Sequence, residues 1–328
     1  MELIFAIFFS IPDSLKYADS LNMTMVSRWK APLPTFGIEV AGNSAYLSSM
    51  KRIYALDFSD PTSLALASEI KVDGFPIGLR LYRNRYLLAG SGYSGLTVVN
   101  VEDPYIAEVL ASVPSRDSAL SVDVKGRYAF VTDGEAGITV YDVSSPSNPK
   151  IVGSFDTPGF ARGIHIVGNR AYVADGPGGL LVLDITNPRR IKMLGQYSLG
   201  DTTFAIDVRY YNGRAYVAFG QEGLYVFDVR NPAKIKPLIR FVAYGEALGF
   251  DLKGNLLFIA FGSGGIKAFD LRRIENEIRL GRKILKESEF ARYRPPIYEG
   301  EVIYDLAVKG NLILAASRKG LVIYEYTY

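Results

Sequence analysis

One pattern occurs seven times along the chain: Gly, two variable positions, a small or apolar residue, an aromatic residue or Leu, and a short apolar stretch. The aromatic column reads Tyr46, Leu87, Phe130, Tyr172, Tyr216, Phe258 and Leu314, with successive gaps of 41, 43, 42, 44, 42 and 56 residues. Self-similarity at such a period constrains the fold strongly, because one unit cannot bury its apolar face alone and must stack on its neighbours.

Behind each column residue comes a second element, clearest in Gly179-Leu180-Leu181-Val182-Leu183-Asp184-Ile185-Thr186-Asn187-Pro188. It recurs from Gly137, Gly223 and Gly265, with weaker copies from Ile53, Gly95 and Gly320. Residues 161–200 thus divide into four strand-sized segments: Ile164–Val167 (a), Ala171–Ala174 (b), Leu180–Ile185 (c) and Ile191–Tyr197 (d). Gly168-Asn169, Asp175 to Gly179 and Asn187-Pro188 separate them, all residues suited to tight turns. The 22 Tyr and 18 Phe residues suit pleated surfaces rather than helices. Four antiparallel strands in a repeat of this length describe a propeller blade, whereas solenoid repeats of similar length are mostly helical. The expected fold is therefore all-β, a seven-bladed β-propeller over residues 21–328, preceded by an apolar segment within residues 1–20.

The ends of the pattern test that expectation. The last unit stops after its strand c, Gly320 to Tyr324, and Met23 to Lys30 reads as a strand d with no unit of its own. The N-terminal strand is therefore predicted to complete the last blade, which removes the open sheet edges that invite aggregation.

The strand-c motif, Leu180-Leu181-Val182-Leu183-Asp184 followed by Ile185-Thr186-Asn187-Pro188, resembles the LVIVD-repeat family over roughly residues 24–328. Its Asp column holds at Asp57, Asp142, Asp184, Asp228 and Asp270 but is Asn100 in the second unit and Glu325 in the last. Pro follows in the first five units and is missing from the last two, so the c–d turn of those two is in question. The resemblance implies a propeller of the kind found in surface or secreted proteins of bacteria and archaea, with no shared activity. A WD-type propeller is not indicated, since the only Trp, Trp29, lies in a strand d and the only His, His165, in a strand a.

Composition narrows the function classes. The net charge of +3 is spread without long basic runs, so the electrostatic footprint of a nucleic-acid binder is missing. With 0 Cys there is no thiolate chemistry or disulfide framework. Leu3 to Ile11 is too short to span a bilayer, and Glu2 stands where an export signal carries positive charge. That segment is either the remnant of an export signal or an extension packed on the domain. The compartment stays open, with secretion or the cell surface favoured over the cytoplasm.

Three groups of residues are candidates for function. The Asp column precedes each c–d turn and is expected to accept backbone N–H bonds there. A polar column on strand a, Glu39, Arg80, Asp123, His165, Asp207 and Asp251 with Ala307 in the last unit, alternates with apolar neighbours and is predicted to form a ring in the central channel. That ring is a structural hydrogen-bond network or a site for a small ligand or a cation, calcium being the ion suited to oxygen donors. No catalytic motif, metal site or other cofactor is indicated. The third group lies on the face formed by the d–a and b–c loops: Phe36, Phe75, Phe160 and Phe204 at strand entries, and the enlarged loop Glu287 to Glu301 with Phe290, Arg292, Tyr293, Arg294 and Tyr298. Aromatic and Arg side chains are common anchors for protein partners. The leading expectation is a non-enzymatic interaction module or scaffold presenting this face to a protein partner, in a larger or cell-surface assembly. The alternative is an enzyme or a small-ligand or cation-binding propeller with its site at the channel mouth.

Overall fold

The computed structural model describes residues 22–286 and 301–327. The apolar run Leu3 to Ile11 and the partner-loop residues Phe290, Arg292, Tyr293, Arg294 and Tyr298 lie outside the described residues.

The chain is a seven-bladed β-propeller of antiparallel strands. The fourth blade is representative: Gly163–Val167 (a), Arg170–Ala174 (b), Leu180–Asp184 (c) and Lys192–Tyr197 (d) pair in sequence order. Strands b and c are buried almost throughout and read as continuous apolar runs, because both faces of each blade are covered by a neighbour. Strand d, at the rim, alternates between exposed and half-buried positions. The core is correspondingly divided into seven clusters, each built from two adjacent blades. One of them joins the last blade to the first, through Leu314, Leu321 and Ile323 against Ile38, Leu47 and Tyr54.

The N-terminal strand closes the ring as the sequence predicts. Asn22–Lys30 runs antiparallel to Gly320–Thr327, from Asn22 opposite Thr327 to Lys30 opposite Gly320. Met23 is 1% exposed in the interface between the sixth and seventh blades. Trp29 meets Tyr54 of the first blade edge-on at 5.0 Å, and Arg28 pairs with buried Glu301 at 2.6 Å.

Two details differ from the sequence pattern. In the second blade Leu88, not Leu87, is the counterpart of Phe130, since Leu88 packs toward the third blade as Phe130 packs toward the fourth. Among the described residues the sixth blade has three strands, Gly249–Lys253, Leu256–Ala260 and Ile266–Asp270. The repeat places a strand d at about Ile278 to Lys286, but this segment belongs to the end of a helix, Leu271–Arg279, and a short strand, Ile284–Lys286, that adds in parallel to the outer strand of the fifth blade. The cause is local. Asp270 caps the helix by accepting from Arg272 N at 2.8 Å, no Pro interrupts the helical residues after it, and Leu271 and Ile274 bury against the fifth-to-sixth interface.

Candidate functional site

The Asp column acts within each turn. Asp57, Asp142, Asp184, Asp228 and Asp270 each accept from the backbone N–H two residues on, at 2.8 to 3.1 Å, and Asn100 does the same at 3.3 Å. In the first five units these side chains shape the c–d connection, while Asp270 caps the helix Leu271–Arg279, and each lies on a separate blade.

The polar column converges on the channel. Pairing of strands a and b aligns Glu39, Arg80, Asp123, His165, Arg209, Asp251 and Ala307 as equivalents, each opposite the aromatic-column residue of its own blade. Asp207 is thus two residues early. Arg209 is the fifth-blade member, facing Tyr216 while Asp207 faces Ala218. The apolar neighbour that precedes Arg209 is the buried Val208. Asp207 still lines the channel, one layer closer to the mouth, beside Asp305 of the seventh blade, which the sequence pattern did not single out.

These side chains stitch blade to blade. A side chain on one inner strand accepts the backbone N–H one position further along the inner strand of the next blade. Glu39 accepts from Leu81 at 3.1 Å, Asp123 from Ile166 at 2.7 Å, His165 Nδ1 from Tyr210 at 2.8 Å, Asp251 from Val308 at 2.8 Å and Asp305 from Ile38 at 3.2 Å. Asp123, Asp251 and Asp305 also accept, on the other oxygen, from the residue immediately after them. Buried backbone donors are thereby satisfied by side chains where no continuous sheet crosses the blade boundary. Close approach of the inner strands requires glycine at Gly163, where a Cβ would lie 2.9 Å from Asp207 Cα.

Above this polar layer the channel widens to a cavity of about 590 Å³ that opens among the d–a and b–c loops. Three residues ahead of the polar column stands a collar, Phe36, Ile77, Leu120, Arg162, Ile206, Leu248 and Tyr304, all lining the cavity. Phe36 and Tyr304 rings lie 5.5 Å apart within it. Phe75 and Phe160 also line the cavity, while Phe204 sits outside it against Phe160, ring centres 5.8 Å apart. On the surrounding face Phe75, Phe204, Tyr93 and Tyr244 are exposed, the last two at 79% and 71%.

The electrostatics of the channel arise from burial and proximity. Burial pushes the Glu39, Asp123, Asp207 and Asp251 carboxyls upward, against the pull of nearby arginines. Burial, reinforced by the charge of Asp207, carries Asp305 to about 7. Burial and the guanidiniums of Arg209 and Arg80 hold His165 down at about 3, so it is neutral at pH 7. Since its Nδ1 accepts from Tyr210, its proton is on Nε2. Burial opposes the charge on Arg209, but Asp207, Asp305, Asp251 and Asp123 outweigh it and keep the guanidinium protonated. Arg209 donates to Asp207 at 2.7 Å and Arg80 pairs with Asp123 at 2.9 Å. Arg162 has no hydrogen-bond or ion-pair partner for its guanidinium among the described residues. The surrounding collar desolvates the guanidinium in part and weakens its hold on the proton, partly offset by Asp207, although the residue as a whole is exposed. Among the described residues no cluster of three His, Asp or Glu side chains is placed to hold a metal ion, and no helix is long and apolar enough to cross a membrane.

A model of the LVIVD repeat matches residues 35–72, 117–157, 158–198 and 204–237. The matches fall on the first, third, fourth and fifth blades. The crystal structure of the computationally designed Ika8 protein is similar with a TM-score of 0.65, covering 93% of this chain and 100% of that one at 10% identity, which shows a shared fold alone. No curated protein matches the chain.

Proposed function

Starting from a seven-bladed β-propeller built from LVIVD repeats, we propose that the chain is a binding module whose specificity centre is the channel mouth, occupied by a small ligand. The observation that carries this reading is the cavity of about 590 Å³, a volume typical of small-molecule sites, with an apolar collar around a charged floor. Binding is favoured over catalysis because Asp123, Asp251 and Asp305 have both oxygens committed to backbone donors and His165 has its basic nitrogen occupied. A thermal-shift screen of small molecules tests the reading, run beside Leu120→Trp, which fills the collar. Hits that stabilise the wild-type chain and are lost in the variant support it. Hits that persist in a folded Leu120→Trp protein place binding elsewhere.

A second reading, a protein partner on the same face, is favoured by the exposed Phe75, Tyr93, Phe204 and Tyr244 around the mouth. It extends to the enlarged loop with Phe290, Arg292, Tyr293, Arg294 and Tyr298, and to a scaffold or cell-surface setting. Changing Tyr93, Phe204 and Tyr244 together to Ser, all outside the cavity lining, distinguishes it: a partner contact is weakened at unchanged melting temperature, while ligand hits in the channel remain.

A further inference from the structure

The channel is asymmetric in what it still has to offer. Asp123, Asp251 and Asp305 have both oxygens engaged by backbone N–H groups, and Glu39 and Asp207 one each, by Leu81 N–H and by Arg209, whereas unused donors remain on the arginines and on His165. Arg80 engages Asp123 through Nε and its side chain is 41% exposed, so its two terminal nitrogens stay open to the cavity. Arg209 donates through Nη1 and its side chain is 31% exposed. His165 carries its proton on Nε2 and lines the same space. Arg162 stands alone in an otherwise apolar collar, without a hydrogen-bond or ion-pair partner among the described residues. Arg162 is exposed, with Asp207 near enough to act on its charge, so its planar donor array is open to the cavity and suits a carboxylate.

Resting on the reading of the channel mouth as a small-ligand site, we propose that the ligand is an amphipathic organic carboxylate, its anionic end on Arg162 and its apolar body against the collar. The unused N–H groups of Arg80, Arg209 and His165 lie deeper and donate to further oxygens of a longer or more oxidised ligand. The channel holds more carboxylates than arginines, so a preference for cations is the outcome that opposes this assignment.

Three probes share one apolar body: 2-naphthylacetate, 2-(2-naphthyl)ethanol and 2-(2-naphthyl)ethylammonium. Calorimetric titration of the full chain at about pH 7.5 and low salt is expected to rank the acid tightest, by roughly tenfold or more over the alcohol, the scale of one hydrogen bond to a charged group. Arg162→Gln is expected to erase that preference while leaving the alcohol unchanged, and Arg162→Lys to keep part of it. An ammonium that binds tightest, or an alcohol equal to the acid, overturns the carboxylate assignment and leaves the channel mouth as a site. Absence of binding by all three, or binding that persists in a folded Leu120→Trp protein, overturns both.

Discussion

Asp305 and His165 face the same channel and respond to protons in opposite senses. The Asp305 carboxyl is raised from an ordinary 3.8 to about 7, so the folded chain holds a proton that the unfolded chain releases. Its contribution to stability is full below about pH 4 and is lost as pH rises through 7. His165 is lowered from 6.5 to about 3, so its contribution is full above pH 6.5 and is lost as pH falls toward 3. Melting temperature measured from about pH 5 to 8 is therefore expected to fall less steeply in Asp305→Asn than in the wild-type chain. An unchanged slope shows that the two acids at this layer share their proton differently. The residue scale is also where sequence reading slipped. Asp207 and Arg209 are two positions apart, and on a strand a two-residue slip keeps every side chain on its own face. The polar and apolar alternation is the same for either alignment. The extra length of the fifth unit falls ahead of its strand a, where only strand pairing assigns it. At Leu87 and Leu88 two identical side chains gave no contrast to fix the register.

Among the elements, the closing strand and the helix of the sixth blade make separate predictions. Removing residues 1–30 deletes the strand Asn22–Lys30, exposes the edge of Gly320–Thr327 and uncovers part of the core beneath Met23. The expected result is aggregation or a large fall in melting temperature, read by light scattering and calorimetry, against a small change when only residues 1–14 are removed. Asp270→Ala removes the helix cap and is expected to cost about 1 kcal/mol in denaturant unfolding. If that substitution is neutral, burial of Leu271 and Ile274 alone holds the helix in place. Six blades and the closing strand were legible because turn residues and apolar runs recur at nearly constant spacing. The helix was legible only as an interruption, the missing Pro after Asp270, since the residues beyond it form a helix or a rim strand according to what they pack against.

At the scale of the whole molecule, the seven clusters share the stability out among seven blade interfaces, and no single central core exists among the described residues. The ring itself was readable from the count of units and from the unmatched strand at each end of the pattern. The channel was readable as a polar column, but its collar was not, because six apolar residues and one Arg three positions upstream look like ordinary strand entries. What the collar does is set by convergence of seven strands in space, and no local window of sequence contains it. The closing pair carries a mechanical consequence. Asn22 faces Thr327, so the two flanks of the pair attach at the same end of it. Tension applied between those flanks loads the Asn22–Thr327 rung first and then each rung in turn, as a zip fastener opens, instead of shearing all rungs together. In a single-molecule pulling experiment the ring is expected to open by peeling this strand at low force, with the remaining blades giving way afterwards.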